Sequence, residues 1–195
     1  MKRGVRELRI VAGALRGRKW TFPDAPGLRP TPDRVRETLF NWLAPHLPGM
    51  RVLDLFAGSG ALAFEALSRG AASAVLVEKG RAAAAGLRVT AERFGLSAAR
   101  IEAVEALAFL RSQPKNSFDL VFVDPPFATG LHVPALDALA WQGVLAPGGF
   151  CYIEQPAGDD LPALPEGWTL HRTGKAGEVG YHLLHATPRD LPGDV

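Results

Sequence analysis

Two stretches have residue types suited to chemistry on a nucleoside. In Asp124-Pro125-Pro126-Phe127, paired prolines stiffen the backbone and fix where the Asp124 carboxylate and the Pro125 carbonyl point. Those oxygens can accept the N–H groups of a planar exocyclic amine, while Phe127 offers an aromatic face to the attached ring. Such an amine is a weak nucleophile, because its lone pair is delocalised into the ring. Acceptors on both N–H bonds favour a geometry that returns density to nitrogen, and alignment with an electrophile supplies much of the remaining rate. Asp124 can take up the proton late, as the amine becomes cationic. The bland alternative is a Pro-Pro turn that only caps a strand.

The second stretch is Val52-Leu53-Asp54-Leu55-Phe56-Ala57-Gly58-Ser59-Gly60, followed by Ala61–Leu67. It reads as a buried strand, an acid at the strand's end, a small-residue turn and a helix. Gly58 and Gly60 allow a tight bend and let a ligand lie against the backbone. Two ligands compete for this bend. Gly58, Gly60 and Ala63 satisfy the dinucleotide pattern, with Glu78 near the distance of a ribose-binding acid. Alternatively, Asp54 faces the sulfonium and ammonium of S-adenosylmethionine. A carboxylate attracts those cations but repels a pyrophosphate, so Asp54 favours the methyl donor.

Alternating strand and helix patterns from Arg51 predict a Rossmann-like, doubly wound α/β sheet that positions both stretches. Strands are expected at Arg51–Leu55, Ala74–Glu78, Arg100–Val104, Phe118–Val123 and Phe150–Glu154. Helices are expected at Gly60–Ser68, Arg81–Phe94, Ala106–Ser112 and Val133–Ala140, with Pro147-Gly148-Gly149 as a turn. Trp168–Thr173 and Val179–Ala186 read as a closing hairpin, giving seven strands with the last antiparallel; dinucleotide enzymes usually carry six parallel strands. Ligands of open α/β sheets bind beyond the carboxyl ends of the strands, so Asp54, Glu78, Glu105 and Asp124 form an informative set. Glu78 would accept the ribose hydroxyls and Glu105-Ala106 would approach an adenine amine, with Glu102 a competing register.

Upstream, Arg6–Ala12 and Arg16–Phe22 predict a β-hairpin turned at Gly13-Ala14-Leu15, in a basic arm spanning residues 1–28 ahead of a domain at 29–195. Thr31 reads as the N-cap of a helix with Pro32 in its first position and Val35, Leu39, Trp42 and Leu43 as its apolar stripe. Arg34 and Arg36 are expected on its charged face. Residues 1–36 hold ten basic and three acidic side chains, a net +7 that leaves −5 for the rest of a chain whose total is +2. That asymmetry points to a polyanion, and the excess of 17 arginines over 5 lysines suits phosphate contact and base stacking. Candidate RNA contacts are Arg3, Arg6, Arg9, Arg16, Arg18, Lys19, Arg29, Arg34 and Arg36.

The single cysteine, Cys151, excludes an internal disulfide and cysteine metal clusters, and is expected to pack. His182 and His185 face opposite sides of a strand, and His46, His132 and His171 look scattered, so no metal is expected. Trp20, Trp141 and Trp168 read as core or edge packing. No apolar run approaches the roughly 18 residues of a membrane span and no signal peptide is visible, which predicts a cytoplasmic protein.

Asp-Pro-Pro-Phe together with the Asp54–Gly60 turn resembles class I methyltransferases acting on exocyclic amines. Arg9-Ile10-Val11-Ala12-Gly13, Leu15-Arg16-Gly17-Arg18 and the long string Arg29-Pro30-Thr31-Pro32-Asp33-Arg34-Val35-Arg36-Glu37-Thr38-Leu39-Phe40-Asn41-Trp42-Leu43 narrow this. They resemble the bacterial small-subunit rRNA guanine-N2 methyltransferases of the RsmD type, over about residues 8–155. The resemblance implies S-adenosylmethionine held by Asp54, Phe56, Ala57, Gly58, Ser59, Gly60, Lys79, Glu105, Ala106 and Asp124, with Glu78 at its ribose. It implies the target guanine at Asp124, Pro125, Pro126 and Phe127, and 16S rRNA in an assembling 30S subunit as the partner of a monomer. Rival readings are an adenine-N6 methyltransferase, a nicotinamide-dependent oxidoreductase and a non-catalytic RNA-binding assembly factor.

Overall fold

The computed structural model describes residues 5–23 and 31–187. The larger sheet has seven strands in the order β5-β4-β3-β6-β7-β9-β8. β3 (Arg51–Asp54), β4 (Ser73–Val77), β5 (Ala99–Glu102), β6 (Phe118–Val123) and β7 (Leu145–Pro156) are parallel; β9 (Val179–Ala186) runs antiparallel between β7 and β8 (Trp168–Ala176). The strand order reverses between β3 and β6, which opens a crevice at their carboxyl ends.

Apolar runs in the central strands are buried on both faces, as a parallel sheet requires. On one face Val52, Leu76, Leu120, Phe122 and Tyr152 pack against α1 (Asp33–Leu43), α2 (Ala61–Ser68) and α3 (Arg81–Phe94). On the other, Leu53, Val77, Val121, Cys151 and Ile153 pack against α4 (Ala106–Arg111) and α5 (His132–Gln142). Burial pushes the Cys151 thiol up, which suits a packing role.

The arm is a separate two-stranded sheet, β1 (Val5–Arg9) with β2 (Lys19–Pro23). Both strands are shorter than the alternation suggests, because residues 10–18 form a loop clamped to α2. The Glu65 carboxylate accepts the Val11 and Ala12 amides at 2.8 and 2.9 Å, and Ser68 Oγ accepts the Leu15 amide while donating to the Ala12 carbonyl. Gly13 sits at φ +81°, and a Cβ there would lie 1.9 Å from the Ser68 carbonyl oxygen, so only glycine lets the loop approach. Trp20 is 2% exposed and meets Phe64 and Phe94 edge-on at 5.7 and 6.1 Å.

Four expectations are corrected. Arg36 is fully buried, because it lies one turn before Phe40 on the packed side of α1. There it pairs with Asp33 and with Glu65, the latter at 3.8 Å, and donates to the Arg9 carbonyl, so it is a structural cation and not an RNA contact. Thr31 does not cap α1: Pro32 occupies the cap position without a side-chain bond, and the Thr31 hydroxyl turns to the buried Glu154. Trp141 is 86% exposed, since α5 packs through Ala135, Leu136 and Leu139 and position 141 falls off that stripe. His46 and His171 are not scattered but join His185 around the Phe150 ring at 5.0 to 5.5 Å, while His132 lies apart beside Phe127.

Candidate active site

Four of the five parallel strands deliver an acid to one rim. β3 ends at Asp54, β4 leads to Glu78, β6 leads to Asp124, and β7 carries Glu154 near its end. A cavity of about 1250 Å³ lies over these ends and touches all four. Asp54, Phe56, Ala57, Gly58, Ser59, Glu78, Lys79, Glu105, Ala106 and Asp124–Phe127 all line it. Gly60 does not. It is the N-cap of α2 at φ +78°, where a Cβ would lie 2.5 Å from the Phe64 ring, so its absent side chain serves the turn.

The acids differ in how they are held. Glu78 spans the glycine bend, accepting the Gly80 amide on Oε1 at 2.6 Å and the Gly58 amide on Oε2 at 3.1 Å. Both oxygens keep a further lone pair for a diol. Asp54 is 3% exposed and accepts amides from Phe56 and from Ala63 in the first turn of α2. Burial nevertheless pushes its pKa up to about 7, with the Glu78 charge adding to the rise. Asp124 is raised well above the ordinary carboxylate range by burial, then by the nearby Glu154 and Asp54. Glu105 is the N-cap of α4, its carboxylate accepting the Ala108 amide at 2.8 Å, which leaves one oxygen at the cavity wall.

Glu154 was missing from the acids marked in the sequence, although it ends the apolar run 150–153 as Asp54 ends 52–53. It is 4% exposed, and its Oε1 accepts hydroxyls from Tyr152 and Thr31, each at 2.8 Å. Burial raises its proton affinity and the two hydroxyls pull it back. Trp20 was also missed as a site residue: its indole N–H donates to the Ser59 carbonyl at 2.8 Å and ties the arm to the glycine bend. Also lining this cavity, Phe127 is 41% exposed in a short 3-10 turn and packs against His132 at 5.9 Å.

Of the expected RNA contacts, Arg6, Arg9, Arg16, Arg18, Lys19 and Arg34 are exposed; Arg3 and Arg29 lie outside the described residues. Arg9 pairs with Asp33 at 3.0 Å and Lys19 with Glu7 at 2.8 Å, while Arg18 and Arg93 stack on Phe94. None of the described helices is long and apolar enough to cross a membrane, and no described group of three His, Cys, Asp or Glu residues could hold a metal ion.

Among the described residues, no Lys, Arg or His forms an ion pair with Asp54, Glu78, Asp124 or Glu154. Asp54 and Glu154 are buried and Glu78 and Asp124 half-buried, and carboxylates so placed without a protein cation are costly unless a ligand supplies positive charge or N–H donors. The rim is therefore built for a ligand that brings both.

Residues 8–185 match the family model described as Conserved hypothetical protein 95. The chain is 47% identical over 180 residues to the Escherichia coli protein named Ribosomal RNA small subunit methyltransferase D, covering 92% of this chain and 90% of that one. The solved structure of yhhF from Escherichia coli superposes with a TM-score of 0.88 at 42% identity, over 94% of this chain and all of that one. An RNA methyltransferase from Salinibacter ruber, solved with S-adenosyl-L-homocysteine, shares the fold at a TM-score of 0.61 and 18% identity, over 85% of this chain and 98% of that one.

Proposed function

The chain belongs to the Conserved hypothetical protein 95 family, and from that premise we propose that it methylates the exocyclic N2 of a guanine in 16S rRNA, using S-adenosylmethionine. The observation that carries this is the row of four acids around one cavity, none in an ion pair among the described residues although Lys79 and Lys175 also line it, with the rigid Asp124-Pro125-Pro126-Phe127 turn on its wall. The residues fit the donor: Asp54 for its ammonium and sulfonium end, Glu78 for its ribose diol, and Val77, Val104 and Ala106 as apolar walls for its base. When bound, the donor supplies an electrophilic methyl group on a positively charged sulfur.

The rest is done by the chain. Phe127 offers its exposed ring to a guanine turned out of the RNA, and the Asp124 carboxylate with the Pro125 carbonyl accepts the two N2–H bonds. Held so, the N2 lone pair points into the donor side of the cavity. On receiving the methyl group that the donor would supply, N2 would become cationic and pass one of its protons to Asp124. Burial raises the proton affinity of the Asp124 carboxylate, which suits it, when ionised, to take up that proton. The exposed arginines of the hairpin and of α1 hold phosphates and set the register of the RNA. The reading includes the setting: a cytoplasmic monomer acting within the assembling 30S subunit.

The test is transfer of labelled methyl to naked rRNA, assembled subunits and DNA by the purified protein and by Asp124→Ala. Loss of transfer with RNA binding retained supports the proposal. Label on DNA adenine, or transfer unchanged in Asp124→Ala, refutes it.

A further inference from the structure

We propose that Glu154 reads the base: its free carboxylate oxygen accepts the N1–H of guanine beside the N2 amine held by Asp124. The inference rests on the guanine-N2 reading and adds to it the group that selects guanine over other amine-bearing purines.

Three observations carry it. In the parallel register Val123 pairs with Ile153, so Asp124 and Glu154 follow as the next neighbours, projecting to one face into one cavity. That places two acceptors side by side, and guanine presents two adjacent donors, N2–H and N1–H, along one edge. Adenine presents its amine beside N1 with a lone pair and no hydrogen, which an acceptor would repel.

The second observation is orientation. Both Thr31 and Tyr152 donate to the same atom, Glu154 Oε1, and no described residue donates to Oε2. The two hydroxyls stabilise the anion and hold the carboxylate so that Oε2 is the oxygen left for a ligand. The third is burial. At 4% exposure and with no cationic partner among the described residues, Glu154 has no role in solvation or surface charge. The Thr31 bond spans 123 residues and joins the segment ahead of α1 to this wall.

The proposal is tested with small-subunit rRNA carrying either guanine or 2-aminopurine at the mapped target. 2-Aminopurine keeps the N2 amine but has a lone pair at N1. Wild-type protein should favour guanine in kcat/KM by roughly 10- to 100-fold, the worth of one hydrogen bond to a charged acceptor. In Glu154→Gln, the two hydroxyls still require an oxygen at the Oε1 position, which turns the amide NH₂ toward the base. That group donates to the N1 of 2-aminopurine and opposes the N1–H of guanine, so the preference should shrink by at least about 10-fold or invert. The shift on substitution assigns the effect to N1, since the O6 that 2-aminopurine also lacks is common to both proteins' comparisons.

Equal loss on both substrates in Glu154→Gln, with S-adenosylmethionine binding retained, would make Glu154 structural and overturn the proposal. So would a wild-type protein that does not discriminate between the bases, a result that needs no variant to fold. A wild-type protein that methylates adenine instead would end the guanine reading itself, and is distinguished by its product.

Discussion

Asp54 carries the clearest pH signature in the molecule. In the unfolded chain it titrates near 3.8, and in the fold near 7, so the fold favours its protonated form. Its contribution to stability is present in full below the unfolded value and is lost as pH rises through about 7. Asp54→Asn, which cannot ionise, should therefore raise the melting temperature at about pH 8 and change it little at about pH 4. The same variant should bind no S-adenosylmethionine, because the donor's positive charge is what the ionised carboxylate awaits. In wild type, donor affinity should weaken as pH drops below about 7, by up to about tenfold per pH unit. Calorimetry across that range checks both; an affinity independent of pH would separate Asp54 from the donor's charge. At this scale the sequence was legible wherever an acid closes an apolar run, as at Asp54 and Asp124. Arg36 was not, because one helix turn separates it from Phe40 and its partner Glu65 comes from another helix.

At the scale of elements, the arm is held by α2. Glu65 neutralises Arg36 and Arg69 and caps the Val11 and Ala12 amides, all in one buried cluster. Glu65→Ala leaves the buried Arg36 only the half-exposed Asp33 as a described ion partner and removes the acceptor of Arg69 and of the Val11 and Ala12 amides, and should cost about 3–5 kcal/mol in urea unfolding. Gly13→Ala forces a Cβ against the Ser68 carbonyl at a positive φ. It should raise hydrogen exchange through residues 10–18 while the large sheet stays protected; unchanged exchange would show the clamp is not needed. The parallel strands and their helices were legible because apolar runs alternate with helical periodicity. The hairpin's length was not, since its loop is shaped by Glu65 and Ser68, more than 50 residues away in sequence.

Over the whole molecule, the proposed function divides the work: the positive charge on the arm would grip a polyanion and the acids in the cavity would orient a base. Neutralising Arg6, Arg9, Arg16 and Arg18 together should flatten the salt dependence of RNA binding, by roughly 0.7 in log–log slope per lost phosphate contact, and leave donor affinity nearly unchanged. An unaltered slope would remove the arm from the interface. Arg36 substitutions should lower stability without moving that slope. The doubly wound architecture was legible from the alternation of strand and helix patterns, whereas the joining of the arm to the glycine bend through Trp20 and Ser59 is a tertiary contact that no local pattern encodes. The central claim is that one cavity brings a methyl donor to the N2 of guanine. It is met most directly by mass spectrometry of nucleosides from small-subunit rRNA of a deletion strain, before and after treatment with purified protein and S-adenosylmethionine. Appearance of N2-methylguanosine at one position is the predicted result; N6-methyladenosine, or rRNA that gains no methyl group, would contradict the account.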